Sequence, residues 1–424
     1  SGRSRRSRQL RRHTWSRRGT AARSRVSSPS DPLLSGLKVL DFTRVLAGPF
    51  ATMVMADLGA QVVKVELPGQ GDDSRGFGPF VGDRRSAYFL SVNRGKQSVT
   101  LDLRTDAGRD LALRLAEQSD VLVENFRPGS MDRFGLGYEQ VAARNRRIVY
   151  ASVSGFGQTG PYAHRPAYDV IVQAMSGLAS ITGLPGQPPV RVGSSTADLN
   201  AALFAVIGIQ ACLARARSTG QGEHVDVSML DCQVSLLENA IARYDVEGQV
   251  PGPLGSRHPT ITPFQFFATA EGNLVIAAGN DRLWQRLCEV IDRPDLAKDP
   301  RFDNNALRTQ NHSELEPELA AVFSQQTTAH WLELLEAAGV PCGPVNDIAD
   351  VVDDPHIAQR EMIRTQMEGD MGVRVPGPPL KFSNASTAEI RPAPGLGEHT
   401  TTILSQWLGL APSELDSLQE AGVV

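Results

Sequence analysis

Cysteine is scarce. The 424 residues hold four, Cys212, Cys232, Cys288 and Cys342, and no two form a C-x-x-C pair. That excludes a disulfide framework and a zinc ribbon, and four free thiols fit a reducing compartment. Aromatic residues make up only 6%, too few for a nucleic-acid binder that works by stacking. No uninterrupted apolar run reaches the roughly 18 residues of a membrane helix, so a spanning chain is not expected. Several catalytic signatures are also missing: no Walker loop, no HExxH, no GxSxG and no glycine fingerprint after the first strand. Gly155, Gly157 and Gly160 spell G-x-G-x-x-G, but Pro161 follows, which reads as a turn. His258, His312, His356 and His399 lack metal spacing, so no metal site is expected.

Acids are missing from one end. Residues 1–30 carry ten of the 43 basic residues, all Arg, and no Asp or Glu. The remainder holds 33 bases against 47 acids, a balance near −14. The Arg- and Ser-rich segment has the composition of an organelle transit peptide, which would place the protein in the mitochondrial matrix. Read as a loose extension, it leaves the protein cytoplasmic. The acidic body argues against a nucleic-acid partner.

What remains is ordinary globular material, 41% hydrophobic and 21% charged, with 39 Gly and 27 Pro. Strand-like runs at Leu37–Thr43, Gln61–Glu66, Ser98–Leu103, Asp120–Phe126 and Ile148–Ser154 alternate with helical stretches, among them Pro49–Leu58, a helix capped by Thr105, and Tyr138–Asn145. The pattern predicts an α/β fold with a large Rossmann-like parallel sheet. Tyr168–Ile181, Asp198–Arg217 and Leu230–Tyr244 read as helices, with Gly220 ending the second and a strand at His224–Ser228. Residues 31–247 are the expected large domain. The Gly/Pro-rich stretch 248–263 is a linker or active-site loop, 264–350 a smaller α/β domain, and 351–424 a return segment with a turn-rich Val373–Pro379.

Three features could carry chemistry. Cations gather at strand ends: Arg44, Arg75, Arg94, Lys96, Arg104, Arg127 and Arg133. Beside turns at the edge of a parallel sheet they suit a phosphate-bearing ligand, or else form solvated surface. Asp198 opens the apolar helix below the small-residue loop Gly193–Ala197, as an N-cap or as a nucleophile. Asp169, after Tyr168, is a further cap or a buried acid.

At these positions the chain resembles the class III CoA-transferases, a family that also contains 2-methylacyl-CoA racemases. The matching text is LKVLDFTRVLAGPF at 37–50, DLGAQVVKVELPGQGDDSR at 57–75, SVNRGKQSVTLDLR at 91–104 and DVLVENFRPGSMDRFGLGYE at 120–139. It continues with ASVSGFGQTGPY at 151–162, GVPCGPV at 339–345 and LGEHT at 396–400. The likeness is strongest to the succinate–hydroxymethylglutarate branch. It implies an enzyme that moves CoA from a dicarboxylyl-CoA such as succinyl-CoA to a free acid such as glutarate or 3-hydroxy-3-methylglutarate. Asp198 would be the nucleophile, passing through an aspartyl anhydride and an aspartyl-CoA thioester, with backbone N–H groups at the helix start steadying oxyanions. Val45, Leu101, Arg104, Asn125, Phe126, Arg127 and Arg133 would bind CoA, itself a substrate, with no resident cofactor. The resemblance also implies a large Rossmann-like domain assembled from both chain ends, a smaller domain, and an interlocked homodimer.

Two departures bear on substrate. Leu46 stands where formyl-transferring relatives carry a glutamine, and their glycine run is replaced by Gly255-Ser256-Arg257-His258-Pro259. An oxalate/formate pair is therefore not expected, and Arg94 and Arg257 become the candidate clamps for a second substrate carboxylate. Racemases of the family need a proton-shuttling histidine before the second aspartate. Here that residue is Tyr168, and a phenol ionising near pH 10 is a poor base. A non-catalytic acyl-CoA-binding protein is the remaining alternative.

Overall fold

The computed structural model describes residues 31–82, 84–389 and 391–424. The Arg-rich residues 1–30, on which the transit-peptide reading rests, lie outside the described residues. The first eight strands are β1 (Lys38–Asp41), β2 (Gln61–Glu66), β3 (Phe80–Val81), β4 (Arg85–Ser86), β5 (Gln97–Thr100), β6 (Val121–Glu124), β7 (Val149–Ser154) and β8 (Glu223–Ser228). Six of them form one sheet in the order β5-β2-β1-β6-β7-β8, and every pairing is parallel. β3 and β4 make a separate two-residue ladder. The chain thus builds outward from β1 in one direction, returns, and builds outward from β6 in the other. The crevice beyond the carboxyl ends of β1 and β6 is where such sheets hold ligands.

Both faces of the sheet are covered, which is why its strands read as near-continuous apolar runs. Alternate residues divide between two cores. Val39, Val62, Val121 and Val123 pack with helices Ala47–Asp57 and Thr196–Thr219, while Leu40, Val63 and Leu122 pack with helix Asp106–Glu117. The chain's end joins the second core through Ile403, Leu404, Trp407 and Leu415, on helices Thr400–Leu408 and Pro412–Glu420.

Helix Thr196–Thr219 is alone among the described helices in having the length and hydropathy of a membrane span. Its inner face explains the composition: Ala197, Ala201, Ala202, Ala205 and Ile209 are buried against the sheet, and the small side chains let the backbones approach. Gly220 ends it in the left-handed region, at φ 73°.

A third core stands apart. β9 (Phe264–Thr269), β10 (Gly272–Ala277) and β11 (Cys342–Pro344) form an antiparallel sheet packed by Trp284, Leu287, Phe302, Phe323 and Trp331. A hairpin of β12 (Ile363–Glu368) and β13 (Met371–Pro376) follows. It corrects the turn-rich reading of Val373–Pro379: Val373 and Val375 lie on a paired strand, and Val373 packs on the Phe89–Leu90 cluster. Two expected helices are each two. Gly177, at φ 93°, separates Asp169–Met175 from Leu178–Ile181, and Leu236–Asn239 separates Met229–Ser235 from Ala240–Glu247.

Candidate active site

The segment following β1 is shaped by side chains from three other strand ends. Asp41, fully buried, accepts from Thr43 N–H, Thr52 Oγ1 and Lys96 Nζ. Lys64 Nζ donates to Thr43 O at 2.7 Å and pairs with Asp72 at 2.8 Å. Asn125 brackets Arg44, accepting its N–H at 2.7 Å and donating to its carbonyl at 2.8 Å. Asp72 then accepts the N–H of Val45 at 3.1 Å. Val45 sits at φ +66°, a left-handed conformation that a β-branched residue adopts only under constraint. Burial, the largest single influence, would raise the Asp72 carboxyl, but the charge and hydrogen bond of Lys64 together with the Ser74 hydrogen bonds outweigh it and hold it down at about 2.

Val45 is one wall of two cavities that meet at Asp198. One, of about 220 Å³, runs along the ends of β1, β6 and β7 and is lined by Arg44, Asn125, Phe126, Arg127, Arg165 and Asp198. The other, of about 760 Å³, is lined by Gln70, Asp72, Phe77, Tyr88, Arg191 and Asp198. Tyr168 borders both and is 72% exposed. A smaller cleft of about 140 Å³ beside the first contains Arg44, Leu101, Arg104 and Phe126.

Asp198 is not the N-cap. The helix begins at Thr196 after Ser195, which puts Asp198 third in the first turn. Its carboxyl is pushed up to about 7, by burial first and by the charge of Asp169 second. Asp169 is the buried acid that caps this helix from outside: its Oδ1 accepts the Ala197 N–H at 2.9 Å, and its Oδ2 accepts from Gln173 Nε2 at 2.8 Å. The N–H of Thr196 is bonded to Ser194 O. Two of the helix-start donors expected to steady oxyanions are therefore already committed. Tyr88 stays protonated, its hydroxyl raised to about 12 by burial and then by the nearby Asp198 charge.

The structure gathers Val45, Asn125, Phe126 and Arg127 around Asp198, with Leu101 and Arg104 in the adjoining cleft. Arg104 is 73% exposed and forked onto Asp102. Arg133 faces solvent, bonded to Ser130, and lines none of these cavities.

The expected carboxylate clamps are corrected. Arg94 is buried and bidentate on Asp57, at 2.9 and 2.6 Å, so its charge is already used in the core. Arg257 lines neither cavity at Asp198; it lies near His312, whose pKa falls by burial and then by the Arg257 charge. Arg75 and Lys96 likewise serve buried pairs, with Glu66 and Asp41. Sequence reasoning missed Arg165, Arg191, Tyr88 and Asp72. Arg165-Pro166 and the Arg191 segment flank the two aspartate motifs, a neighbourhood that could have drawn attention to both cations.

Known proteins share this sequence and fold. The family model described as CoA-transferase family III matches residues 34–400. An acetyl-CoA:oxalate CoA-transferase of Acetobacter aceti is 45% identical over 90% of this chain and 97% of its own. A succinyl-CoA:glutarate CoA-transferase of Mus musculus is 41% identical over 92% of this chain and 90% of its own. The crystal structure of a CAIB/BAIF family protein from Brucella suis superposes with a TM-score of 0.80 at 39% identity, covering 89% of this chain and all of that one.

Proposed function

The chain belongs to CoA-transferase family III, and on that premise we propose that Asp198 carries CoA between two acids through covalent intermediates, with succinyl-CoA as donor and a dicarboxylate of glutarate size as acceptor. The enzyme is a CoA-transferase; its substrates and route are the proposal. The observation that carries it is the shared wall: Asp198 borders both a cleft with three arginines and a larger cavity that can hold an acid.

The Asp198 carboxylate adds to the thioester carbonyl and expels CoA thiolate, leaving a mixed anhydride. The thiolate attacks the aspartyl carbonyl of that anhydride, giving an aspartyl-CoA thioester and releasing the first acid. An incoming carboxylate attacks that thioester and re-forms an anhydride with expulsion of thiolate. The thiolate then attacks the new acyl carbonyl, giving the new acyl-CoA and restoring the Asp198 carboxylate. Every bond is accounted for without a metal or redox group, and no net proton moves. Arg44, Arg127 and Arg165 suit the anionic CoA, while Arg44 also lies over the Phe126 ring at 4.8 Å. A racemase would need a base at Tyr168, and a phenol is poorly matched to that task.

The acceptor reading rests on cavity size and on Leu46, which removes a polar group from the wall of the smaller cleft. The Acetobacter relative is named for oxalate, so oxalate belongs in the acceptor panel. Incubation with succinyl-CoA followed by borohydride or hydroxylamine should leave a mass change on the peptide holding Asp198. Asp198→Ala should lose both the adduct and turnover. Exchange at the wild-type rate in Asp198→Ala would end the covalent route, and racemisation without exchange would end the transferase chemistry.

A further inference from the structure

The 760 Å³ cavity is lined by four acids, Asp72, Asp73, Asp169 and Asp198, and among the described residues lining it Arg191 is the lone cation. A dianionic substrate entering there would meet like charge at every other ionisable carboxyl of the lining. Asp72 is balanced by Lys64, and Asp169 by the Ala197 N–H and the Gln173 amide. That leaves Arg191 as the counter-charge for whatever anion arrives.

Its guanidinium is available. The side chain is 48% exposed, Nη2 stands 3.7 Å from Asp169 Oδ2, beyond hydrogen-bond reach, and its one weak bond is to Gly193 O at 3.4 Å. The backbone that carries it is not loose. Gln173, fully buried, accepts the Val192 N–H at 2.8 Å and donates to Ser194 O at 3.2 Å, tying the segment to helix Asp169–Met175. A half-exposed planar fork, held to Asp169 only by a long ion pair and carried on a tethered loop segment beside Asp198, has the form of a carboxylate clamp.

We propose that Arg191 is the residue that selects dicarboxylates, pairing with the substrate carboxylate that does not react while the other end meets Asp198. It takes the role expected of Arg94, which is spent on Asp57, and of Arg257, which lines neither cavity at Asp198. The inference rests on the acid-transfer reading above. It applies to both substrates, since the succinyl group of the donor and the acceptor acid occupy the same cavity in turn.

The test is a one-pot competition. Enzyme and succinyl-CoA are mixed with equal glutarate and pentanoate, acids of five carbons with and without the second carboxylate, and glutaryl-CoA and pentanoyl-CoA are measured by mass spectrometry. Their ratio is independent of how the donor step responds. Wild type should favour glutarate by about 30-fold or more, the discrimination expected of a charge-assisted hydrogen bond. In R191Q the ratio should fall to within about threefold of unity, and R191K should lie between. A wild type that shows no preference overturns the assignment, whatever the variants do. So does an R191Q enzyme that keeps the wild-type ratio. An R191Q enzyme that makes neither product from succinyl-CoA is run again with acetyl-CoA, a donor without a second carboxylate, and a folded R191Q silent there too overturns the assignment, because a residue that only selects leaves the chemistry with the monoacids. No acyl-CoA product from wild type with any acid would remove the transfer reading, and this inference with it.

Discussion

Asp198 is an acid whose surroundings favour its neutral form, and two consequences follow from its pKa of about 7. Only the ionised form is a nucleophile, so kcat/KM for the donor should fall as pH drops through about 7. Glu124, buried behind the Phe126 loop and accepting the Phe126 N–H, is also pushed up to about 7 by burial. Glu124→Gln separates the two: the acidic limb should persist in that variant, and its loss would reassign the limb to Glu124. The second consequence concerns stability. A carboxyl whose folded pKa lies above its unfolded value contributes stability below the unfolded pKa, and this is lost as pH rises through the folded one. At pH 8 wild type holds an unfavourable buried charge that Asp198→Asn lacks. The variant should melt roughly 1–3 °C higher there, with the gap closing below about pH 4. A variant that melts lower at pH 8 would mean that Asp198 is stabilised by a partner.

The element that decides the site's shape is the loop after β1. Its left-handed Val45 is held by Asp72, and Asp72 by Lys64, so a break in the pair should reach the cavities. Asp72→Asn leaves the Lys64 cation buried with the charge of Asp41 but without its direct ion pair. It should cost about 3 kcal/mol in urea unfolding at neutral pH, with a loss of activity beyond that of Asp102→Asn, whose partner Arg104 is exposed. Equal, small effects in both variants would show that the buried pair does not hold the loop. For CoA, Arg44→Ala and Arg127→Ala should each raise the donor KM about tenfold or more, while Arg133→Ala, outside the clefts, should leave it within about twofold. The reverse ranking would move the phosphates to the Arg133 helix.

Much of this architecture was legible in the residues. QVVKVE at 61–66 announced β2, and Thr105 announced its helix, because apolar runs and caps are local signals. The hairpin of β12 and β13 was not legible: Gly369, Gly372 and the prolines at 376–379 mask a pairing that only the facing strand completes. The same limit applied at the site. Sequence showed many cations, but which of them are consumed by buried acids depends on pairings distant in the chain, such as Arg94 with Asp57 and Lys96 with Asp41. Arg191 and Arg165 acquire meaning only once the sheet brings their loops to Asp198.

At the scale of the whole molecule, the outer surface of helix Thr196–Thr219 exposes Leu203, Phe204 and Ile207, the last 62% exposed. Helix Asp169–Met175 adds Val170, Ile171 and Met175, and helix Ala240–Glu247 adds Ile241, Tyr244 and Val246. The first two helices are in direct contact, and both supply walls of the Asp198 cavities. So much apolar surface beside a site that works on charged, water-soluble substrates is costly to leave hydrated. The same helix has the composition of a membrane span, yet its inner face is fully used by the sheet. Burial against a second copy covers the outer face at no loss to the inner one, and a two-fold arrangement lets one patch serve both partners. Light scattering coupled to gel filtration should therefore give twice the chain mass of 45.8 kDa. Ile207→Glu, which places a charge on the outer face of helix Thr196–Thr219, should shift the protein toward monomer and lower activity with it. A wild type of single-chain mass with full turnover would show that the exposed face serves something other than self-association.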